Sequence, residues 1–335
     1  MRKITVINGI EGFDIPYHLQ ILGYKVEDIR DTFFVSLNDH YGLHTEGWLE
    51  SVKNTAQNYR RVVFYDLINH GDEYINNFCS FINEFPHSNK WYLTNNFSSN
   101  FTLDNVTVLS WDFMWNRSKL YYTDIDEEYV RSLNLILHHY AGKTSYILNE
   151  LDANKPRSRI FLNLCGRGYG YRLDLHDFLQ SFADQGYSSV RSLGKVLGDD
   201  NTVGAFKPIP NSFYDDTYLS VYVESNCVNN NLIHITEKTF EPLFKGHFIM
   251  PFSNTGTIQR LRDLGFRFPD FIDYSYDTIE DDVSWRFAVF KRYLKDALKL
   301  PWNKLYKDNF DIIQHNRNQL YKLEYDRSIL KLFDE

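Results

Sequence analysis

No apolar run in this chain approaches the roughly 18 residues that a membrane-spanning helix needs. The first residues, Met1-Arg2-Lys3-Ile4-Thr5-Val6-Ile7-Asn8, pass directly into a strand-like segment, with no signal-peptide apolar region and no small-residue cleavage site. A cytoplasmic protein is expected, in the host cytoplasm if the source is viral. Cysteine is scarce: Cys79, Cys165 and Cys227 are far apart and odd in number. They provide no disulfide framework and no zinc spacing, which suits a reducing compartment. Positive charge is also short. Lys and Arg number 36 against 44 Asp and Glu, a net charge of −8, and no basic run is longer than Arg60-Arg61. Bulk attraction to nucleic acid or anionic lipid is therefore not expected, although a local basic pocket remains compatible. Internal repeats and low-complexity segments are missing too.

What is there is the composition of a globular chain. Of 335 residues, 43% are hydrophobic and 24% charged, and at about 150 residues per domain the length predicts two domains. Aromatic residues reach 17%, with 26 Phe, 24 Tyr and 6 Trp. Either AT-rich codon usage or an enrichment of side chains that stack on a sugar or base accounts for them.

Apolar runs alternate with helical stretches. Strands are expected at Ile4–Ile7, Arg61–Asp66, Lys90–Thr94 and Val106–Leu109, with helices at Ile75–Phe85 and Asp126–Leu148. The polar stretch Asp152–Arg157 reads as a linker. A second series follows: a strand at Ser158–Leu164, a loop at Cys165–Gly170, a helix at Arg172–Ala183, strands at Leu219–Val223 and His247–Phe252, and a helix at Asp281–Leu298. This alternation predicts an α/β protein with mostly parallel sheets. The domains expected are 1–152 and 157–300, with a helical tail at 301–335 that packs back on the first. Ligands of such sheets bind at the carboxyl ends of the strands, so a cleft between the two domains is the expected site.

The most informative stretch runs from Leu219 to Phe252. A strand ends in Glu224-Ser225-Asn226, and a short polar loop leads to Thr236-Glu237-Lys238 at a helix start. A carboxylate at a strand's end can accept hydrogen bonds from sugar hydroxyls. Lys238, beside the free amides of a helix N-terminus, can neutralise a diphosphate. The same residues also suit a plain helix start, with Thr236 and Glu237 as caps and Lys238 in solvent. The loop Cys165-Gly166-Arg167-Gly168-Tyr169-Gly170 could cradle phosphate on backbone amides, but its glycines lack the spacing of a dinucleotide fingerprint.

Glu224-Ser225-Asn226 followed by Ile235-Thr236-Glu237-Lys238 resembles the donor-binding signature of the α1,3-fucosyltransferase family. The chain is still more similar to a group of phage and bacterial glycosyltransferases. Its matching segments are Thr236 to Phe240, Pro242-Leu243…Gly246, Leu261-Arg262-Asp263-Leu264-Gly265-Phe266 and Asp273-Tyr274-Ser275-Tyr276-Asp277. Two upstream segments, Trp111 to Lys119 and the Phe161-Leu162-Asn163 strand with its loop and Arg172, extend the likeness to residues 111–277. The resemblance implies a GT-B-like fold, two Rossmann-like domains facing a cleft, with a nucleotide-diphosphate sugar as co-substrate and no further cofactor. It implies that Glu237 binds the ribose, that Lys238 binds the diphosphate, and that Glu224 lies beside the donor sugar or the ribose. Thr236 and Asn226 belong to the same donor-binding motif. Where the group carries an Arg- and Pro-rich loop, this chain keeps only Arg167 and Arg172.

Inverting sugar transfer needs a base on the acceptor hydroxyl and cationic help for the leaving diphosphate. Asp112, Asp66 and Glu11, in that order, lie in the first half at or near strand ends, and each also suits a capping role. No metal is expected, because His40 and His44 have ligand spacing without supporting carboxylates. A carbohydrate acceptor is expected over DNA. The phage-like pattern raises a DNA-modifying enzyme acting on a hydroxymethylated base, against which the net charge counts. A non-catalytic nucleotide-sugar-binding module is the alternative of another class.

Overall fold

The computed structural model describes residues 32–36, 46–66, 79–94, 103–110, 151–194, 211–224, 227, 233, 235–280 and 282–324. The chain divides into two compact units, residues 1–117 with 325–335 and residues 118–324. Among the described residues each carries one four-stranded sheet, and every strand pair is parallel. The α/β expectation is met at this level.

The first unit contains β1 (Thr32–Ser36), α1 (Glu46–Ala56), β2 (Arg61–Asp66), β3 (Lys90–Thr94) and β4 (Val106–Ser110). Spatial order follows chain order, β1-β2-β3-β4, so every crossover steps the same way. Val62, Val63, Phe64 and Tyr65 are all buried, because a parallel strand covered on both faces is apolar on both. Phe33, Val35, Phe64 and Tyr92 pack with Val52 and Ala56 of α1 and with Ile82 and Phe85. Lys90 donates its ammonium to the carbonyls of Ile82 at 2.7 Å and Asn83 at 3.0 Å, satisfying the end of the helical stretch 79–84. The expected strand Ile4–Ile7 and helix Asp126–Leu148 lie outside the described residues.

The second unit contains β5 (Phe161–Cys165), α2 (Tyr171–Gln180), β6 (Gly186–Val190), α3 (Asn211–Asp215), β7 (Leu219–Val223), α4 (Glu237–Lys245), β8 (Phe248–Phe252), α5 (Thr257–Asp263), α6 (Val283–Ala297), α7 (Trp302–Asp308) and α8 (Phe310–Lys322). Its order is β6-β5-β7-β8. The chain steps from β5 out to β6, then returns past β5 to reach β7. That reversal is a topological switch point, where successive connections diverge and a crevice opens at the carboxyl ends of the two strands.

The C-terminal region is helical, as expected. As far as Glu324, the tail is built into the second unit's own core, with Trp302, Tyr306 and Ile313 buried beside Phe248. Arg157, in the expected linker, belongs to this unit too. It donates to the Tyr214 carbonyl at 2.8 Å and the Tyr306 hydroxyl at 2.8 Å, with its guanidinium 4.4 Å from the Tyr306 ring centroid.

Two of the family-like segments prove to be helix ends. Gly246 takes φ +82°. Its amide bonds the Leu243 carbonyl and the His247 amide bonds that of Pro242 at 2.9 Å, which closes α4 in a Schellman turn. Gly265, at φ +88°, closes α5 the same way: its amide bonds Arg262 at 2.8 Å and the Phe266 amide bonds Leu261 at 3.0 Å.

Candidate functional site

The switch point lies between the carboxyl ends of β5 and β7. The loop after β5 is locked to the turn after β6: the Gly168 amide donates to Ser192 Oγ at 2.8 Å, and the Ser192 amide donates to the Gly166 carbonyl at 3.1 Å. The first amides of α2 are turned inward. Those of Leu173 and Asp174 bond the Gly170 carbonyl, and that of Arg172 bonds Tyr169. The Gly168 amide and these first amides of α2 are thus engaged within the protein, and Arg172 is the buried cation beside the loop. Its Nη1 donates to the Arg167 carbonyl at 3.4 Å, and its guanidinium lies 4.7 Å from the Tyr169 ring centroid. Tyr169 is 50% exposed. The Arg167 side chain is exposed at the rim.

Across the switch point, β7 ends in Glu224, which is only 1% exposed. Three donors converge on its carboxylate. Oε1 accepts from the Thr236 amide at 3.1 Å and the Thr239 hydroxyl at 3.0 Å, and Oε2 accepts from the Thr236 hydroxyl at 2.7 Å. Tyr222 extends the chain by donating to Thr239 Oγ1 at 2.7 Å. Thr236 is also the N-cap of α4, since its Oγ1 accepts from the Lys238 amide at 3.3 Å. The Lys238 ammonium donates to the same oxygen at 3.3 Å. Glu224 thus sets the position of Thr236, and Thr236 sets the first turn of α4 and the ammonium that turn carries.

The third wall comes from β8 and α6. Ser253 and Asn254, just past β8, are buried. Arg286 of α6, fully buried, donates to the carbonyl of Ser253 and, at 2.8 Å, to that of Cys227. Its guanidinium lies 4.5 Å from the Phe252 ring centroid. Asp277 accepts from the Ile258 amide at 2.8 Å at the start of α5. Burial pushes its carboxyl up to about 7, against that hydrogen bond and the Arg286 charge. These roles are not visible from sequence, but Arg286 left a signal: a charged residue on the same helical face as Phe287, Phe290 and Leu294, all buried.

Hydrogen bonds join Glu224, Thr236 and Lys238, and Arg172 lies within electrostatic reach of the same cysteines as Lys238 and Glu224. The charges of Arg172 and Lys238 are both felt at the Cys165 thiol, which burial raises, and those of Arg172, Arg286 and Glu224 at Cys227, pushed up to about 11 by burial. Two cations around one crevice, with the nearby carboxylate taken up by hydroxyl and amide donors, favour an anionic ligand. Glu237 opens α4, but its side chain lies outside the described residues, as does Asn226. Asp66 ends β2 opposite Thr94, its side chain likewise undescribed. Glu11, Asp112, His40 and His44 also lie outside. Among the described residues no cluster of three His, Cys, Asp or Glu side chains could hold a metal. The chain does carry an Asp-x-Asp sequence, Asp124-Ile125-Asp126, which corrects the expectation of metal-independent transfer from the lack of one, and it too falls outside. Among the described residues no helix is long and apolar enough to cross a membrane. No family model, curated protein or solved structure matches the chain.

Proposed function

We propose that the protein is a glycosyltransferase that takes its sugar from a nucleotide-diphosphate donor held by the second unit. The observation that carries the reading is the reversal of strand order between β5 and β7, with Arg172 and Lys238 at that crevice. Open parallel sheets bind ligands at such points, and a diphosphate leaving group needs positive charge as its bond to the sugar breaks. Lys238 meets the α- and β-phosphates beside the N-terminus of α4, and Arg172 meets them from the β5 side. Glu224 works indirectly, through Thr236. The finer reading of the fold, two Rossmann-like domains of the GT-B kind, belongs to this proposal. So do the acceptor base, Asp112 ahead of Asp66 and Glu11, and a carbohydrate acceptor.

The test is a thermal-shift panel of UDP-, GDP-, ADP- and CMP-sugars. At about 100 times Kd a ligand stabilises by about 2.7 kcal/mol, or roughly 5–11 °C for a unit of this size. One diphosphate sugar should do so and CMP-sugars, with a single phosphate, should not. A CMP-sugar as the best ligand, or no response to any, would remove the diphosphate assignment.

A further inference from the structure

Arg286 is 0% exposed, and among the described residues no carboxylate oxygen lies within ion-pair distance of it. Burying a charge without such a partner costs several kcal/mol, and an apolar side chain would fill the space without that cost. What an apolar side chain cannot do is donate. The guanidinium fork reaches two carbonyls on two different connections, Ser253 just past β8 and Cys227 three residues past Glu224. It rests on the Phe252 ring, and Asp277 compensates its charge from further off. Past β7, Arg286 thus holds Cys227 and Glu224 holds Thr236. Arg172, on the opposite side of the switch point, is close enough for its charge to reach Cys227.

We propose that Arg286 is a positioning residue of the crevice: it latches Cys227, just past β7, to the end of β8, so that this point holds its place against Arg172 and Lys238. Only the ligand arm of the test rests on the donor-site reading. Cys227 reports on the latch directly, because its carbonyl is what Arg286 holds and its thiol is half-buried and poorly ionised, hence slow to react.

The experiment labels folded wild type, R286M and R286K with N-ethylmaleimide and quantifies each cysteine peptide by mass spectrometry, with and without UDP. In R286M, Cys227 should react at least about tenfold faster, while Cys79 in the other unit reacts at the wild-type rate. In R286K, whose ammonium can still donate to a carbonyl, the rate should fall between. UDP affinity should weaken in the same order, and saturating UDP should restore Cys227 protection. Wild-type labelling of Cys227 in R286M, or in R286K if R286M does not fold, would overturn the latch. So would a rise at all three cysteines together, which means general loosening. If UDP fails to bind the wild type, the ligand arm is run with GDP and ADP, and the donor reading falls if none of the three binds, while the labelling rates still decide the role of Arg286.

Discussion

Replacing Glu224 by Gln distinguishes a carboxylate that holds the protein together from one that holds a ligand. The Gln carbonyl can occupy the place of Oε1 and keep the Thr236 amide and the Thr239 hydroxyl. Its NH2 must then occupy the place of Oε2 and face the Thr236 hydroxyl, which now donates to that oxygen at 2.7 Å. The hydroxyl cannot turn away freely, because it already accepts from the amide and the ammonium of Lys238. One hydrogen bond to a charged acceptor is lost and two donors are opposed, a cost of about 1.5–3 kcal/mol. At about 2–4 °C per kcal/mol for a unit of this size, the melting transition of the second unit should fall by about 3–12 °C. Calorimetry measures the fall, and titration with the best nucleotide sugar on the same folded sample measures affinity. An unchanged midpoint with lost affinity would show that Glu224 contacts the ligand, as the resemblance implies, and would refute the bracket on Thr236.

Gly246→Ala must adopt φ +82°, at about 1–2 kcal/mol, with a methyl 2.3 Å from Leu151 Cδ2, an overpacking cost of about 1–3 kcal/mol; urea titration should show a combined loss of about 2–5 kcal/mol, and a loss below about 1 kcal/mol contradicts the strain. Asp277 is raised from 3.8 to about 7 and His247 lowered from 6.5 to about 3; Asp277 therefore makes stability fall as pH rises from about 4 to 7, and His247 makes it fall as pH drops from about 6.5 to 3. Asp277→Asn removes the first slope, so its melting midpoint minus that of wild type should be near zero at pH 4 and increasingly positive up to pH 7; a constant offset contradicts the assignment. Asp112→Asn should cut turnover by about 10²–10⁴-fold with donor affinity unchanged; activity that survives there but disappears in Asp66→Asn transfers the base to Asp66.

The strands were legible where burial makes them so. Arg61–Asp66, Lys90–Thr94 and Leu219–Val223 match their predicted ends, because strands covered on both faces write continuous apolar runs. β6, Gly186–Val190, was not legible. Its polar Ser188 is accommodated by tertiary partners, accepting from Asn163 Nδ2 at 2.9 Å and lying 2.7 Å from His176 Nδ1, and no local pattern announces that. β1 is only Phe33-Phe34-Val35 between two hydroxyl residues. Strand order is a matter of pairing, so the reversal at β5, which creates the crevice, could not be read. Neither could the hydroxyl of Thr239 beside Glu224, 15 residues away in sequence. The Leu261–Phe266 and Pro242–Gly246 motifs were legible as patterns, but their chemistry is that of helix termination: Leu261 and Phe266 are buried across a glycine turn. A segment on which such a resemblance rests can thus be a requirement of the fold. The Thr236–Lys238 segment differs, because it caps a helix and delivers a cation to the crevice at once.

Isothermal titration of UDP, GDP and ADP into wild type and Lys238→Ala asks whether a diphosphate is held by this ammonium. The wild type should bind at least one of the three saturably. The variant should bind it about 10- to 150-fold more weakly, the equivalent of about 1.5–3 kcal/mol for a hydrogen bond to a charged group, with its melting midpoint unchanged. Equal affinity in a folded Lys238→Ala, or no binding of any of the three nucleotides by the wild type, would overturn the diphosphate site.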